Sequence, residues 1–89
     1  MKIPKEFKLG NITWKVAYLS ESLDTFGHTD KNKATIYIVN TYSKERQEHT
    51  FCHELSHAIF YSMGNNTDHD EKFIDGYATF LHQVLTTMR

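Results

Sequence analysis

The chain has 89 residues, 39% of them apolar, 13% aromatic and 24% charged, with a formal net charge of -1 when histidine is neutral. That is the composition of one ordered domain with room for a single core, and it excludes a disordered tail. There is no run of like charge to grip nucleic acid or an anionic membrane, and no apolar stretch that could serve as a signal peptide or span a bilayer. Cys52 is the only cysteine, so no internal disulfide framework exists and a reducing cytoplasm is the expected setting.

The first half reads as strands. "EFKL" and "ITWKVAYL" flank Gly10-Asn11, a hairpin signal, and "ATIYIV" follows a turn at Asp30-Lys31-Asn32-Lys33 that joins it to a short strand near Thr25 to Thr29. The expectation is a small, mostly antiparallel sheet. Trp14, Val16 and Tyr18 alternate onto one face, as do Ala34, Ile36 and Ile38, which leaves one side of the sheet for helices to cover. Lys31 and Lys33 read as solvated turn charges.

The second half reads as two helices. The first starts at an N-cap near Ser43 and stops at Gly64-Asn65-Asn66; the second starts at Thr67 or Asp68, where Asp68-His69-Asp70-Glu71 has the form of a capping box, and continues to Met88. The short connection makes them antiparallel neighbours. The fold class is therefore α+β, residues 1–89 forming a single domain of a small sheet packed on two antiparallel helices.

Chemistry concentrates in "FCHELSHAIF". With the His and Glu content of this chain, roughly 0.03 accidental HExxH matches are expected, so the motif needs support from its surroundings. On a helical projection Phe51, Leu55, Ile59, Cys52, Ala58 and Met63 form the core stripe, while His53 and His57 fall at roughly 200° and 240° from Phe51, on a separate face. Two imidazoles four residues apart can converge on one Zn²⁺, and Glu54, leaving the pair by about 100°, can serve as general base toward a water without itself binding the ion. His49 continues the stripe, but it stands about 12 Å along the axis from His57 and cannot share that ion.

A catalytic zinc needs a third protein ligand, which the second helix supplies as Glu71 or Asp75. Counting residue levels back from the interhelical loop puts Asp75 opposite Ser56, between the histidines, and Glu71 nearer Phe60. The longer glutamate side chain and helix crossing offset this, and Asp75 then suits an orienting contact to His53 or His57. Glu71 is taken as the ligand, with Asp75 as orienting residue or alternative ligand; His69 is a further candidate in the helix cap. Tyr61 and Tyr77 are candidate oxyanion donors that read first as packing residues.

"HTFCHELSHAIFYSMG" followed by "DEKFIDGYATFLHQVL" resembles the short, phage- or mobile-element-encoded HExxH proteins related to the ImmA/IrrE metallopeptidases. That resemblance implies a minimal zincin, with Glu71 at the matching ligand position. SprT-like proteins are the nearest competing resemblance. They carry a third histidine ahead of a Phe, which "DHDEKF" offers through His69, but the glycine expected after that histidine is Asp70 here. The resulting expectation is a zinc-dependent peptidase acting on a protein or peptide substrate. The alternative is a non-catalytic binding or regulatory protein that uses zinc as a structural staple.

Overall fold

The structure, a computed structural model, describes residues 1–21 and 24–88. Four strands, β1 (Glu6–Leu9), β2 (Ile12–Leu19), β3 (Gly27–Asp30) and β4 (Thr35–Val39), precede two helices, α1 (Lys44–Ser62) and α2 (Glu71–Thr87), with a 3₁₀ turn at Asn66–His69 between them. This is an α+β fold.

The sheet is mixed, not antiparallel throughout. Its order is β1-β2-β4-β3, and β2 and β4 run parallel, with Val16 beside Ile36 and Tyr18 beside Ile38. The reason lies in burial. In β4, Ile36, Ile38 and Val39 are almost completely covered, so this strand takes a central place, whereas the short, polar β3 (GHTD) goes to the edge. The chain reverses into β3 and again into β4, and two reversals return it to the direction of β2. The β1–β2 hairpin at Gly10-Asn11 and the β3–β4 hairpin at the Asp30 turn form as the turn chemistry predicts.

Trp14, Ile36, Ile38, Phe51, Cys52, Ala58 and Ala78 form the core between sheet and helices. Of the expected inward positions on β2, Tyr18 is exposed, because it lies near the end of the strand. At Gly27 the sheet touches α1 so closely that a methyl group would run into the Thr50 side chain and the Tyr37 carbonyl.

Helix α1 begins where expected, with the Ser43 side chain accepting from the Arg46 amide. It ends in a Schellman arrangement: the Gly64 and Asn65 amides donate to the Tyr61 and Phe60 carbonyls, and Gly64 has φ +69°. Helix α2 starts later than the capping-box reading placed it. Asp70 is the N-cap, accepting from the Phe73 amide at 3.1 Å, and Thr67 and Asp68 belong to the 3₁₀ turn. Asp68 does not cap α2, because its side chain is drawn inward by Lys31 and His57.

Candidate metal centre

The i, i+4 spacing on α1 brings the rings of His53 and His57 to 5.0 Å between centroids. Glu71, the first residue of α2, lies across both. Its Oε2 is 3.3 Å from His53 Nε2, and its Oε1 is 3.0 Å from His57 Nε2. One ligand atom from each of His53, His57 and Glu71 lies within 4.8 Å of the other two, a spacing that a divalent ion with bonds of about 2.0 to 2.2 Å can draw together.

The other nitrogen of each ring faces a different carboxylate. His53 Nδ1 is 2.9 Å from Asp75 Oδ1, and His57 Nδ1 is 3.1 Å from Asp68 Oδ1 and 2.9 Å from the Asp68 carbonyl oxygen. These partners are all acceptors, so each Nδ1 carries the proton. The tautomer protonated at Nδ1 alone turns the lone pair of each Nε2 to an oxygen of Glu71. Lone pairs so close require a cation between them, either a proton or a metal ion. The donor set of two imidazole nitrogens and one carboxylate oxygen suits a divalent transition metal.

Asp68 is 97% covered by protein and uses both oxygens, Oδ1 for His57 and Oδ2 for the Lys31 ammonium. Burial acts to raise its carboxyl, but the hydrogen bonds from Lys31 and His57 outweigh this and hold it below the ordinary carboxylate range. Lys31 is therefore not a free turn charge; it neutralises the acid behind His57. Lys31 also lies over the Tyr61 ring, at 5.0 Å from its centroid.

Glu54 is held from the sheet, where Oε1 accepts from the Thr29 hydroxyl at 2.6 Å; the same hydroxyl reaches the Glu54 carbonyl at 3.2 Å. Two clefts meet at Glu54. One, of about 340 Å³, is lined by Phe26, Gly27, His49, His53 and Asp75 among others; the second, of about 300 Å³, by Thr29, His57, Asp68 and Glu71 among others.

Of the sequence-derived site residues, the structure gathers His53, His57, Glu71 and Asp75, with Glu54 one helical step away. His69 is 79% exposed and outside the triad, 3.9 Å from an Asp68 oxygen. His49 packs instead against His82, with ring centroids 4.0 Å apart, and His82 reaches Glu48. Tyr77 packs with Phe60 and Phe73, as an apolar residue would. Sequence reading missed Asp68, Lys31 and Thr29. For Asp68 the available signal was its place in the same acidic cluster as Glu71, but its capping-box spacing pointed to another role.

No curated protein and no solved structure matches the chain. One family model does match, that of the SprT-like family, over residues 9–85. The match runs from the end of β1 through nearly all of α2. It reverses the order of the two resemblances read from the motif, placing SprT-like ahead of ImmA/IrrE. With the HExxH helix, the supporting acids and three of the four strands lying inside the matched span, the chain belongs to the SprT-like family.

Proposed function

We propose that this chain is a zinc-dependent metallopeptidase in which His53, His57 and Glu71 hold the ion and Glu54 is the general base. The observation that carries the reading is the arrangement of the two imidazoles, each with Nδ1 committed to a carboxylate and Nε2 turned to the shared Glu71. Membership in a family of zincin-like, metallopeptidase-related proteins supports it.

A bound zinc ion would supply a water ionisable near neutral pH and polarise the scissile carbonyl. The chain's own residues do the rest. Glu54 accepts a proton on its carboxylate and returns it to the leaving amine. Thr29 fixes the direction of that carboxylate through Oε1, leaving Oε2 for the proton. Asp75 and Asp68 keep the rings in the tautomer that presents Nε2.

The substrate in this reading is an extended protein or peptide segment. Among the described residues β3 is an edge strand that pairs on one side only, and Gly27 at its start lines the cleft that also holds His53 and Glu54. A reducing cytoplasm suits the buried lone thiol of Cys52.

Glu54→Gln tests catalysis against the staple alternative. Purified parent and variant are analysed for zinc by elemental mass spectrometry, then incubated with a denatured proteome whose new termini are identified. Equal zinc with new termini from the parent alone is the expected result. Equal zinc with no cleavage by either protein sinks the catalytic reading and leaves a metal-stapled binding protein, and absence of zinc from the parent removes both.

A further inference from the structure

Gly27, Thr29 and Lys31 alternate along β3 and into its turn, and all three meet the helical layer: Gly27 lies against Thr50, Thr29 donates to Glu54, and Lys31 donates to Asp68. The third of these contacts reaches a metal ligand. Asp68 Oδ2 takes the Lys31 ammonium while Oδ1 faces His57 Nδ1, so one carboxylate joins a side chain of the sheet to a ring of the triad.

The burial of Asp68 makes that join necessary. A carboxylate taken out of water needs partners for both oxygens and a charge to offset its own. The neutral His57 ring satisfies Oδ1 and brings no charge. Without Lys31 the other oxygen is bare, and the side chain lowers its energy by turning out to water, which takes Oδ1 away from His57. The ring then keeps only the Asp68 carbonyl as a partner for Nδ1. Behind His53 the arrangement differs, since Asp75 is exposed and no lysine or arginine pairs with it among the described residues.

The turn that carries Lys31 supplies an independent observation. Ala34 has φ +46°, the one non-glycine residue in the left-handed region among the described residues. A Cβ is disfavoured there, and alanine, unlike asparagine or aspartate, has no polar side chain to compensate locally. Such conformations persist where the surroundings impose them, and they gather at functional sites. Here the Asp30 side chain accepts from the Lys33 amide at 3.1 Å, and the Ala34 carbonyl accepts from the Lys15 amide at 3.0 Å, which ties the turn at both ends. The Tyr61 ring beneath the ammonium directs Lys31 toward α1.

We propose that Lys31 is a positioning residue of the metal centre, setting its affinity for zinc through Asp68 and His57. The proposal rests on His53, His57 and Glu71 being the ligands and is independent of catalysis. By linkage the dependence runs both ways: the closed β3–β4 turn tightens the site, and an ion that fixes His57 tightens the turn.

Chelator competition on the full chain is the test, applied to the parent, Lys31→Met, Asp68→Asn and the double variant, with Lys33→Met, an exposed lysine of the same turn, as control. Lys31→Met is expected to weaken zinc binding about 10- to 100-fold, as loss of an orienting partner does, and Lys33→Met to leave it unchanged. In the Asp68→Asn background the Lys31 substitution is expected to have no further effect, because the two groups act in series. Should Lys31→Met fail to fold, the double variant, which buries no unpaired charge, is compared with Asp68→Asn under the same expectation. Unaltered affinity in Lys31→Met overturns this proposal alone. A loss of equal size in both backgrounds also overturns it, since Lys31 then serves the stability of the fold and not Asp68. A parent without affinity for zinc removes the ligand assignment and this proposal together.

Discussion

His57 and Asp68 meet twice: the imidazole Nδ1 faces both the side-chain oxygen and the backbone carbonyl of the same aspartate, at 3.1 and 2.9 Å. Because the backbone carbonyl survives substitution, Asp68→Asn should keep the ring in place while removing the negative charge behind it. Orienting partners of this kind are worth roughly 10- to 100-fold in metal affinity, and a loss within that range is expected. Competition with a chromogenic chelator measures it.

Glu71 and Asp75 occupy different positions on the histidines, and truncation should separate them. Glu71→Ala removes the carboxylate whose two oxygens face the two Nε2 positions and should abolish stoichiometric metal binding. Asp75→Ala removes a partner of His53 Nδ1 and should weaken binding by about 10- to 100-fold without abolishing it. Isothermal titration of each variant with zinc decides between them, and the reverse order would exchange their roles.

Gly64 holds φ +69° at the end of α1 with open space around it, so a side chain there meets conformational strain and no clash. Gly64→Ala should cost about 1 to 2 kcal/mol. For a domain of this size each kcal/mol lowers Tm by roughly 4 to 8 °C, which a thermal melt followed by circular dichroism reads directly.

Cys52 is fully buried, and that burial, with a smaller contribution from Glu48, pushes its thiol from 9.0 up to about 11. Since the folded state holds this proton more tightly than the unfolded chain, the stabilising contribution is complete below about pH 9 and is lost as pH rises toward 11. The urea midpoint should fall across that window, and less steeply in Cys52→Ala. Ellman's reagent should react slowly with the native protein at pH 8 and quickly in urea.

How much was legible follows from the range of each interaction. The hairpin at Gly10-Asn11, the Ser43 cap and the stop at Gly64 are decided within a few residues, and the HExxH pair within one helical turn, so sequence reading reached them. The parallel pairing of β2 with β4 was not accessible in this way. It depends on which strand is apolar enough to be central, a comparison between distant segments that hairpin logic never makes. Asp68 failed for the opposite reason, since the local pattern Asp68-His69-Asp70-Glu71 offered a satisfying cap. In the folded chain Lys31, thirty-seven residues away, and His57 outbid that local role. Levels counted along an ideal hairpin also missed the offset that the 3₁₀ turn introduces before Glu71.

The contact at Gly27 has a consequence for the reach of Glu54. Two residues along the same strand, Thr29 grips the glutamate, so the gap between sheet and helix sets where that carboxylate stands beside the two histidines. A single added methyl would wedge the strand outward and carry the tether with it. The placement of Glu54 thus depends on position 27 carrying no side chain against Thr50.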